Sequence, residues 1–214
     1  MDRSRIALVV PALNEGTTIA RVVASAGRHA SVVVVDDGST DATATLACEA
    51  GAIVVSHGVN RGYDAALNTG FAEAASRGFA AVVTLDADGQ HDPSLVTQFI
   101  AALEDGADVV LGVRDKRPRF AEHLFGFYTR LRFGIADPLC GLKGYRIDVY
   151  RALGHFDSYE SVGTELMLFA ARRGLRIMQV PFRVGRRTDA PRFGRLLSAN
   201  HRILRAMVIS WGRA

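Results

Sequence analysis

Residues 80–93, AAVVTLDADGQHDP, join an uninterrupted apolar run to three aspartates, a glutamine and a proline. An apolar run without polar alternation is typical of a parallel β-strand that is buried on both faces. Asp86 and Asp88 follow this strand directly, where helix capping does not account for them, and Gln90 adds a neutral oxygen. Carboxylate and amide oxygens are the ligands that Mg²⁺ and Mn²⁺ prefer, and a bound cation would offset the clustered negative charge. We therefore expect Asp86, Asp88 and Gln90 to form a divalent metal site.

The same alternation of strand and helix extends outward from this stretch through the first half of the chain. Four further apolar runs are predicted to be strands: residues 5–11, 32–36, 52–57 and 107–113. The segments between strands show helical apolar spacing: residues 16–29, 41–51, 62–78 and 92–106. This repeat predicts an α/β fold, a single Rossmann-like domain with a largely parallel central sheet flanked by helices.

Beyond residue 113 the alternation becomes irregular, but no linker or repeat interrupts the chain. Residues 116–134 and 164–174 are predicted to be helices, and residues 137–146 and 175–184 each to contain a strand. The last twenty residues form one amphipathic helical pattern. We therefore predict one domain over residues 1–214, with parts at 1–113, 114–190 and 191–214.

Composition places the chain among ordinary globular proteins, since 49% of its 214 residues are hydrophobic and 22% are charged. Its two cysteines, Cys48 and Cys140, are far apart without metal-type spacing, which is compatible with a reducing cytoplasm. We recognise no signal peptide and no run long enough to span a bilayer. The formal net charge is +4, and residues 183–214 hold eight arginines against one acid.

Polar clusters follow three of the predicted strands: Asn14-Glu15, Asp36-Asp37, and the aspartates after residue 85. Because the carboxyl ends of parallel strands meet at one edge of a sheet, these clusters should converge on one crevice. The chain has no Walker-type phosphate loop, and no Gly-x-Gly-x-x-Gly follows its first strand. These absences argue against a P-loop nucleotidase and a dinucleotide-binding dehydrogenase.

Four ordered motifs resemble those of family 2 glycosyltransferases with the GT-A fold. They are VVPALNEG (9–16), VVDDGSTDAT (34–43), NRGYDAALNTG (60–70) and DADGQHDP (86–93), and the resemblance extends weakly to about residue 187. Within the family, the pattern is similar to dolichyl- and polyprenyl-phosphate sugar synthases, which transfer mannose or glucose. The resemblance makes 1–113 the nucleotide-sugar-binding half, 114–190 the acceptor-side half, and 191–214 a basic C-terminal helix.

The resemblance also implies roles for individual residues. Five would hold the nucleoside of a UDP- or GDP-linked sugar: Pro11, Leu13, Glu15, Val35 and Asp37. Four would line the metal and diphosphate, with Mg²⁺ or Mn²⁺ as cofactor: Asp86, Ala87, Asp88 and Gln90. Arg114 and Arg187 would contact phosphates, a task that suits the bidentate geometry of arginine. Asp88 and Arg114 are accordingly expected to be catalytic.

The acceptor is the point on which alternatives remain open. Relatives that act on sugar hydroxyls carry a pair of acids near position 165, whereas this chain has Glu165 without a neighbouring aspartate. A hydroxyl must lose its proton to attack and a phosphate need not, so the expected acceptor is a dolichyl or undecaprenyl phosphate. The reaction would be a metal-dependent, inverting hexosyl transfer.

Three alternatives accompany this expectation. The same fold could act on a sugar hydroxyl in polysaccharide or glycolipid synthesis, with Glu165 as the catalytic base. A sugar nucleotidyltransferase is less consistent with the acidic segment PALNEGTT, since a triphosphate needs cations there. A non-catalytic nucleotide-sugar sensor is the third alternative.

The basic C-terminal helix has two interpretations. Leu197, Leu204, Val208 and Trp211 recur at helical spacing, with arginines on other faces. Such a helix could lie on an anionic membrane surface, or it could pack on the domain with a solvated basic face. No nucleic-acid recognition motif accompanies the charge, so the expected location is cytoplasmic, with a peripheral position on the cytoplasmic membrane face in the first interpretation.

Overall fold

The structure, a computed structural model, describes residues 3–87, 93–116, 119–161, 163–184 and 196–212. Its seven strands are β1 Ile6–Ala12, β2 Ser31–Asp36, β3 Ile53–Ser56, β4 Ala81–Thr84, β5 Val109–Arg114, β6 Lys143–Arg146 and β7 Ile177–Phe182. They form one sheet in the order β3-β2-β1-β4-β6-β5-β7. Only β6 among them pairs antiparallel with its neighbours, β4 and β5. The predicted largely parallel sheet is therefore confirmed.

Eight α-helices are described, after a short 3-10 helix at Arg3–Arg5. They are α1 Ile19–Ala26, α2 Thr43–Glu49, α3 Tyr63–Ser76, α4 Pro93–Glu104, α5 Phe120–Phe133, α6 Ile147–Leu153, α7 Glu165–Arg172 and α8 Leu196–Gly212. Seven of these correspond to helical segments predicted from the sequence. The short α6 was not predicted, because its seven residues follow β6 without a turn.

Two apolar layers enclose the sheet and explain the uninterrupted apolar runs of its strands. Alternate residues of β1 show this, because Leu8 and Val10 pack under α1, α2 and α4, while Ala7 and Val9 pack under α3 and α5 to α8. Full burial of a Leu or Val side chain contributes about 1.5–3 kcal/mol, so both layers stabilise the sheet.

The C-terminal helix packs on the domain. Ile203 and Ala206 of α8 are buried, and Leu204 and Met207 pack partly buried against the same core layer as α5. None of the described helices is both long enough and apolar enough to cross a bilayer.

Candidate active site

A cavity of about 520 Å³ opens at the edge of the sheet where the parallel strands end. Its walls come from the segments that follow β1, β2, β4 and β5, from the start of α3, and from α8. The convergence expected from the sequence is therefore present. Among the described residues, eight charged side chains line this cavity, four acidic and four basic: Glu15, Asp37, Asp86, Glu122, Arg114, Arg119, Lys143 and Arg202.

The segment after β1 is fixed to the segment after β2 by hydrogen bonds. Asn14 has a left-handed backbone (φ 51°), and its Oδ1 accepts a hydrogen bond from the Thr40 amide at 2.8 Å. The Glu15 amide donates to Thr43 Oγ1 at 2.8 Å. The Glu15 carboxylate in turn accepts a hydrogen bond from Thr18 Oγ1 at 3.0 Å. The two acidic clusters thus form one rigid wall of the cavity.

Asp37 organises the loop before α3. Its Oδ1 accepts hydrogen bonds from His57 Nδ1 at 2.7 Å and the Arg61 amide at 2.9 Å, and its Oδ2 accepts one from the Gly62 amide at 2.8 Å. Nε2 of His57 lies 2.8 Å from Thr69 Oγ1 in α3. Asp37 therefore positions the backbone that forms the cavity rim, in addition to facing the cavity itself.

Asp86 lies just beyond β4, on the cavity wall. The Tyr63 hydroxyl donates to its Oδ1 over a long 3.4 Å. Burial, and then the charge of Asp86, raise the pKa of Tyr63 well above its ordinary value, so the phenol stays protonated. On the other side, a Cβ added at Gly141 would lie 2.7 Å from Asp86 Oδ2. Glycine at 141 therefore leaves space that the carboxylate uses.

Arg114, at the end of β5, is held by two acids. Its Nε and Nη2 donate to the two oxygens of Asp137 at 2.8 and 2.9 Å, and Nη2 also donates to Glu122 at 3.3 Å. Burial alone would lower the pKa of Arg114, but the hydrogen bond and charge of Asp137 outweigh it, and the pKa is raised. Arg119 donates to the other Glu122 oxygen at 2.8 Å. The guanidinium of Arg114 is thus fixed in place at the cavity.

Lys143 brings a buried ammonium group to the same wall. It is the first residue of β6 and pairs with Thr84, so the reversed strand places its beginning where the neighbouring strands end. The side chain is 3% exposed, and Nζ donates to the Gly163 carbonyl. Burial lowers the pKa of Lys143 to about 8, although nearby negative charges such as that of Asp137 oppose the shift. At neutral pH the group is still mainly charged.

Sequence reasoning did not identify Lys143, Asp137 or Tyr63 as site residues. The prediction of β6 within 137–146 was correct, but nothing in a short strand indicates that it runs antiparallel and begins at the ligand-binding edge. A lysine between leucine and glycine in an apolar strand was the available signal, because a charge there must be buried.

The structure brings together most of the described residues that were predicted to form the site. Pro11, Leu13, Glu15, Asp37, Asp86 and Arg114 all line the cavity. Val35 is fully buried opposite Pro11 in the β1–β2 ladder, and Ala87 is buried beside Asp86. Asp88, Gln90 and Arg187 lie outside the described residues.

Glu165 is the first residue of α7, two residues after Gly163 of the cavity wall. Its carboxylate accepts hydrogen bonds from the Ser158 amide at 2.6 Å and the Ser158 hydroxyl at 3.0 Å, and it lies 3.1 Å from His155 Nε2. It is not among the residues that line the cavity. Its assignment as a base remains a prediction.

The described residues fit a divalent cation only in part. Asp86 is the one predicted ligand among them, and its carboxylate faces the cavity in the space that Gly141 leaves. Within the described ranges, no three His, Cys, Asp or Glu side chains are grouped so that they could hold a metal ion. The other two predicted ligands, Asp88 and Gln90, lie outside the described residues, and the metal site stays a prediction.

Comparisons with known proteins identify the family of the chain. The family model of glycosyl transferase family 2 matches residues 7–162. An uncharacterised protein of Methanocaldococcus jannaschii is 32% identical over 86% of this chain and 82% of its own length. The undecaprenyl-phosphate mannosyltransferase of Micrococcus luteus is 29% identical over 83% of this chain and 82% of its own.

Among solved structures, glucosyl-3-phosphoglycerate synthase from Mycobacterium tuberculosis, in complex with Mn²⁺, UDP and glucosyl-3-phosphoglycerate, superposes with a TM-score of 0.79. The match has 27% sequence identity and covers 97% of this chain and 80% of that one. The mixed sheet with helices on both faces is the GT-A fold of these enzymes. The chain therefore belongs to glycosyl transferase family 2 and is a glycosyltransferase.

Proposed function

We propose that this glycosyltransferase moves one sugar, with inversion and with the help of Mg²⁺ or Mn²⁺, from a nucleotide-linked donor to a polyprenyl phosphate. The observation that carries the proposal is a cavity whose wall includes Asp86, Arg114 and Lys143 but not Glu165. Such a cavity can bind anionic groups through Arg114 and Lys143. Its wall does not include Glu165, the acid predicted to be a catalytic base. The undecaprenyl phosphate in the name of the Micrococcus luteus relative is consistent with this acceptor.

The donor would lie with its nucleoside between the walls formed after β1 and β2. Pro11, Leu13 and Glu15 would contact the base and ribose, and Val35 would support them from the neighbouring strand. Asp37 would act in two ways, by facing the nucleoside and by holding the loop at residues 57–62 through its three hydrogen bonds. A UDP-linked and a GDP-linked sugar both fit this assignment.

The diphosphate would lie at Asp86, Ala87, Asp88 and Gln90. A divalent cation held by Asp86, Asp88 and Gln90 would neutralise charge on the departing diphosphate. Arg114, and Arg187 from the following part of the chain, would donate hydrogen bonds to phosphate oxygens. Lys143 would add a fixed positive charge that needs no solvent reorganisation when negative charge develops.

The transfer itself would be one displacement. An oxygen of the acceptor phosphate forms a bond to the anomeric carbon while the bond from that carbon to the β-phosphate oxygen breaks. The bonding electron pair leaves with the nucleoside diphosphate. The acceptor phosphate is already an anion, so no residue has to remove a proton from it.

A hydroxyl acceptor is the second candidate. The similarity to glucosyl-3-phosphoglycerate synthase over 97% of the chain favours it, because that enzyme's product is a sugar joined to a small phosphorylated acid. Glu165 would then be the predicted base, although its carboxylate would have to leave its hydrogen bonds with Ser158.

The test is a transfer assay with separated donors and acceptors. UDP-, GDP- and CDP-linked hexoses are each offered to polyprenyl phosphate, to 3-phosphoglycerate and to free sugars, with Mn²⁺ or with chelator. We expect one donor class to glycosylate polyprenyl phosphate only when metal is present. Asp88→Ala should abolish transfer, and Glu165→Gln should retain it, since no base is needed. Transfer only to a hydroxyl acceptor, with loss of activity in Glu165→Gln, would overturn the proposal in favour of the second candidate.

A further inference from the structure

The side of α5 that points away from the core is apolar. Four of its large side chains are exposed: Phe120 (76%), Leu124 (39%), Phe127 (68%) and Leu131 (80%). Their spacing of four, three and four residues places them within an arc of about 60° on a helix. We call these four residues the outer face of α5. Ala121, Phe125 and Thr129 on the opposite side are buried.

An exposed apolar face of this size needs a partner. Soluble proteins leave single apolar side chains exposed without consequence, but contiguous apolar patches mark surfaces that bind another molecule or a membrane. Two phenylalanines and two leucines in line form such a patch, and each Phe side chain alone can remove about 150–250 Å² from water.

The charges around the outer face indicate the nature of the partner. His123 and Arg130 border it on one side and Arg132 on the other, and all three are exposed. The only acid of α5 is Glu122, which is buried and bonded to Arg114 and Arg119. An apolar stripe between exposed arginines, without an exposed acid, complements a bilayer with anionic headgroups.

The outer face also adjoins the candidate active site. Arg119, which precedes α5, and Glu122 in its first turn both line the cavity, as do Arg202 and Ile203 of α8. Phe120 lies between Arg119 and Glu122 in the chain and points outward. The N-terminal end of α5 thus carries part of the cavity wall on one side and the start of the outer face on the other, so a bilayer on the outer face would lie beside the segment that forms this wall.

We propose that the outer face of α5, rather than the C-terminal helix, docks the protein on an anionic phospholipid bilayer, with Phe120 and Phe127 among the acyl chains and Arg130 and Arg132 at the headgroups. The proposal rests on the proposed function insofar as it explains how a lipid-linked phosphate reaches the cavity. α8 is less suited to this task, because Ile203, Leu204, Ala206 and Met207 face the protein core.

The test is co-sedimentation of the full chain with vesicles of phosphatidylcholine, with or without phosphatidylglycerol. We expect binding to the anionic vesicles. The double variant Phe127→Ser/Leu131→Ser should reduce the partition coefficient at least about tenfold. Arg130→Ala/Arg132→Ala should reduce only the preference for phosphatidylglycerol, by about fivefold for each arginine. Val208→Ser on α8 is the matched control, since Val208 is 63% exposed, and should bind as wild type does.

Circular dichroism and analytical ultracentrifugation of each variant complete the test. The substituted side chains are exposed, so melting temperatures should remain within a few degrees of wild type. The proposal is overturned if wild type ignores anionic vesicles, if Val208→Ser loses binding while the α5 variants keep it, or if the outer face instead holds a dimer that Phe127→Ser/Leu131→Ser dissociates.

A transfer assay with a short-chain, water-soluble polyprenyl phosphate separates this proposal from the proposed function. The α5 variants should transfer sugar to that acceptor as fast as wild type and lose activity only with acceptor embedded in vesicles. Vesicle binding without transfer to any lipid phosphate would reject the function and keep the surface. Transfer that is equally fast from vesicles in all variants would reject the surface and keep the function.

Discussion

Lys143 keeps a positive charge in a buried position on the cavity wall, and we expect this to affect stability. Burial lowers its pKa from 10.5 to about 8, so the unfolded chain binds the proton more tightly than the folded protein does. The free energy of unfolding therefore rises with pH between the folded pKa of about 8 and the unfolded value of 10.5, through this group alone. The charged lysine is a local source of instability at neutral pH.

We expect Lys143→Met to increase the free energy of unfolding at about pH 7, and the gain over wild type to shrink by about 1 kcal/mol by about pH 9. Urea unfolding of both proteins at each pH measures the difference between their free energies of unfolding. The titration of other groups affects both proteins equally and cancels in this difference. Lys143→Arg, which keeps the charge, should not show the gain. A gain that is independent of pH would show that the pKa of Lys143 is the same in the folded protein as in the unfolded chain. Lys143→Met should also lose most of its transfer activity under the proposed function.

Gly141 allows a second test at the level of single residues. A methyl group there would lie 2.7 Å from Asp86 Oδ2, so Gly141→Ala must displace the carboxylate. We expect this variant to lose metal-dependent stabilisation by nucleoside diphosphate, which at 100 times the dissociation constant amounts to about 2.7 kcal/mol in wild type. Thermal shift with and without Mn²⁺ measures it.

Gly144→Ala is the control for Gly141→Ala, because its methyl group would meet Leu103 and Phe99 at 3.3–3.4 Å and not Asp86. It should lower the melting temperature while keeping the nucleotide-dependent shift. Equal shifts in both variants would show that the position of Asp86 does not matter for nucleotide binding.

At the level of elements, the ion pair of Arg114 and Asp137 joins the end of β5 to the segment that leads into β6. The Asp137 side chain is 1% exposed, and it accepts three hydrogen bonds from Arg114, including one from its backbone amide at 3.1 Å. Removing one partner of a buried ion pair leaves the other charge poorly compensated. We expect Asp137→Asn to lower the free energy of unfolding by about 3 kcal/mol in urea titrations.

Asp148→Asn provides the comparison for that prediction. Asp148 pairs with Arg151 at 3.3 Å, but 85% of its side chain is exposed. Exposed pairs contribute little, so the change should be below about 0.5 kcal/mol. Similar losses in the two variants would contradict the assignment of a structural role to the Arg114–Asp137 pair.

The sequence predicted elements better than it predicted their arrangement. Runs such as residues 80–86 and 107–113 are apolar at consecutive positions because helices cover both faces of the sheet, and that physical requirement is visible in sequence. The order of β4, β6 and β5 in the sheet is not visible in the sequence, because the four residues of β6 do not indicate the direction of the strand or its neighbours. The Asp86 prediction needed only the end of a strand, and the Arg114 prediction came from the family resemblance, whereas Lys143 and Asp137 needed the position of β6.

At the scale of the whole molecule, the insertion of β6 between β4 and β5 joins the two halves of the chain. Residues 109–111 of β5 pair with β6 on one side and β7 on the other, and β5 has no direct partner in residues 1–104. We expect a fragment of residues 1–113 to lack a native β5 and the full chain to unfold in one transition. Urea unfolding followed by both far-ultraviolet circular dichroism and Trp211 fluorescence checks this, since two separate transitions would mean independent halves.

The reversed position of β6 also affects how the chain can fold as it is synthesised. β5 ends at Arg114 and β6 begins at Lys143, so 29 residues (143 − 114) are added before the first neighbour of β5 exists. At a synthesis rate of about 5–20 residues per second, that delay is roughly 1–6 s. During it, the apolar residues Val109, Val110 and Leu111 have no strand on either side. Completion of the sheet therefore has to wait for synthesis of the C-terminal half of the chain.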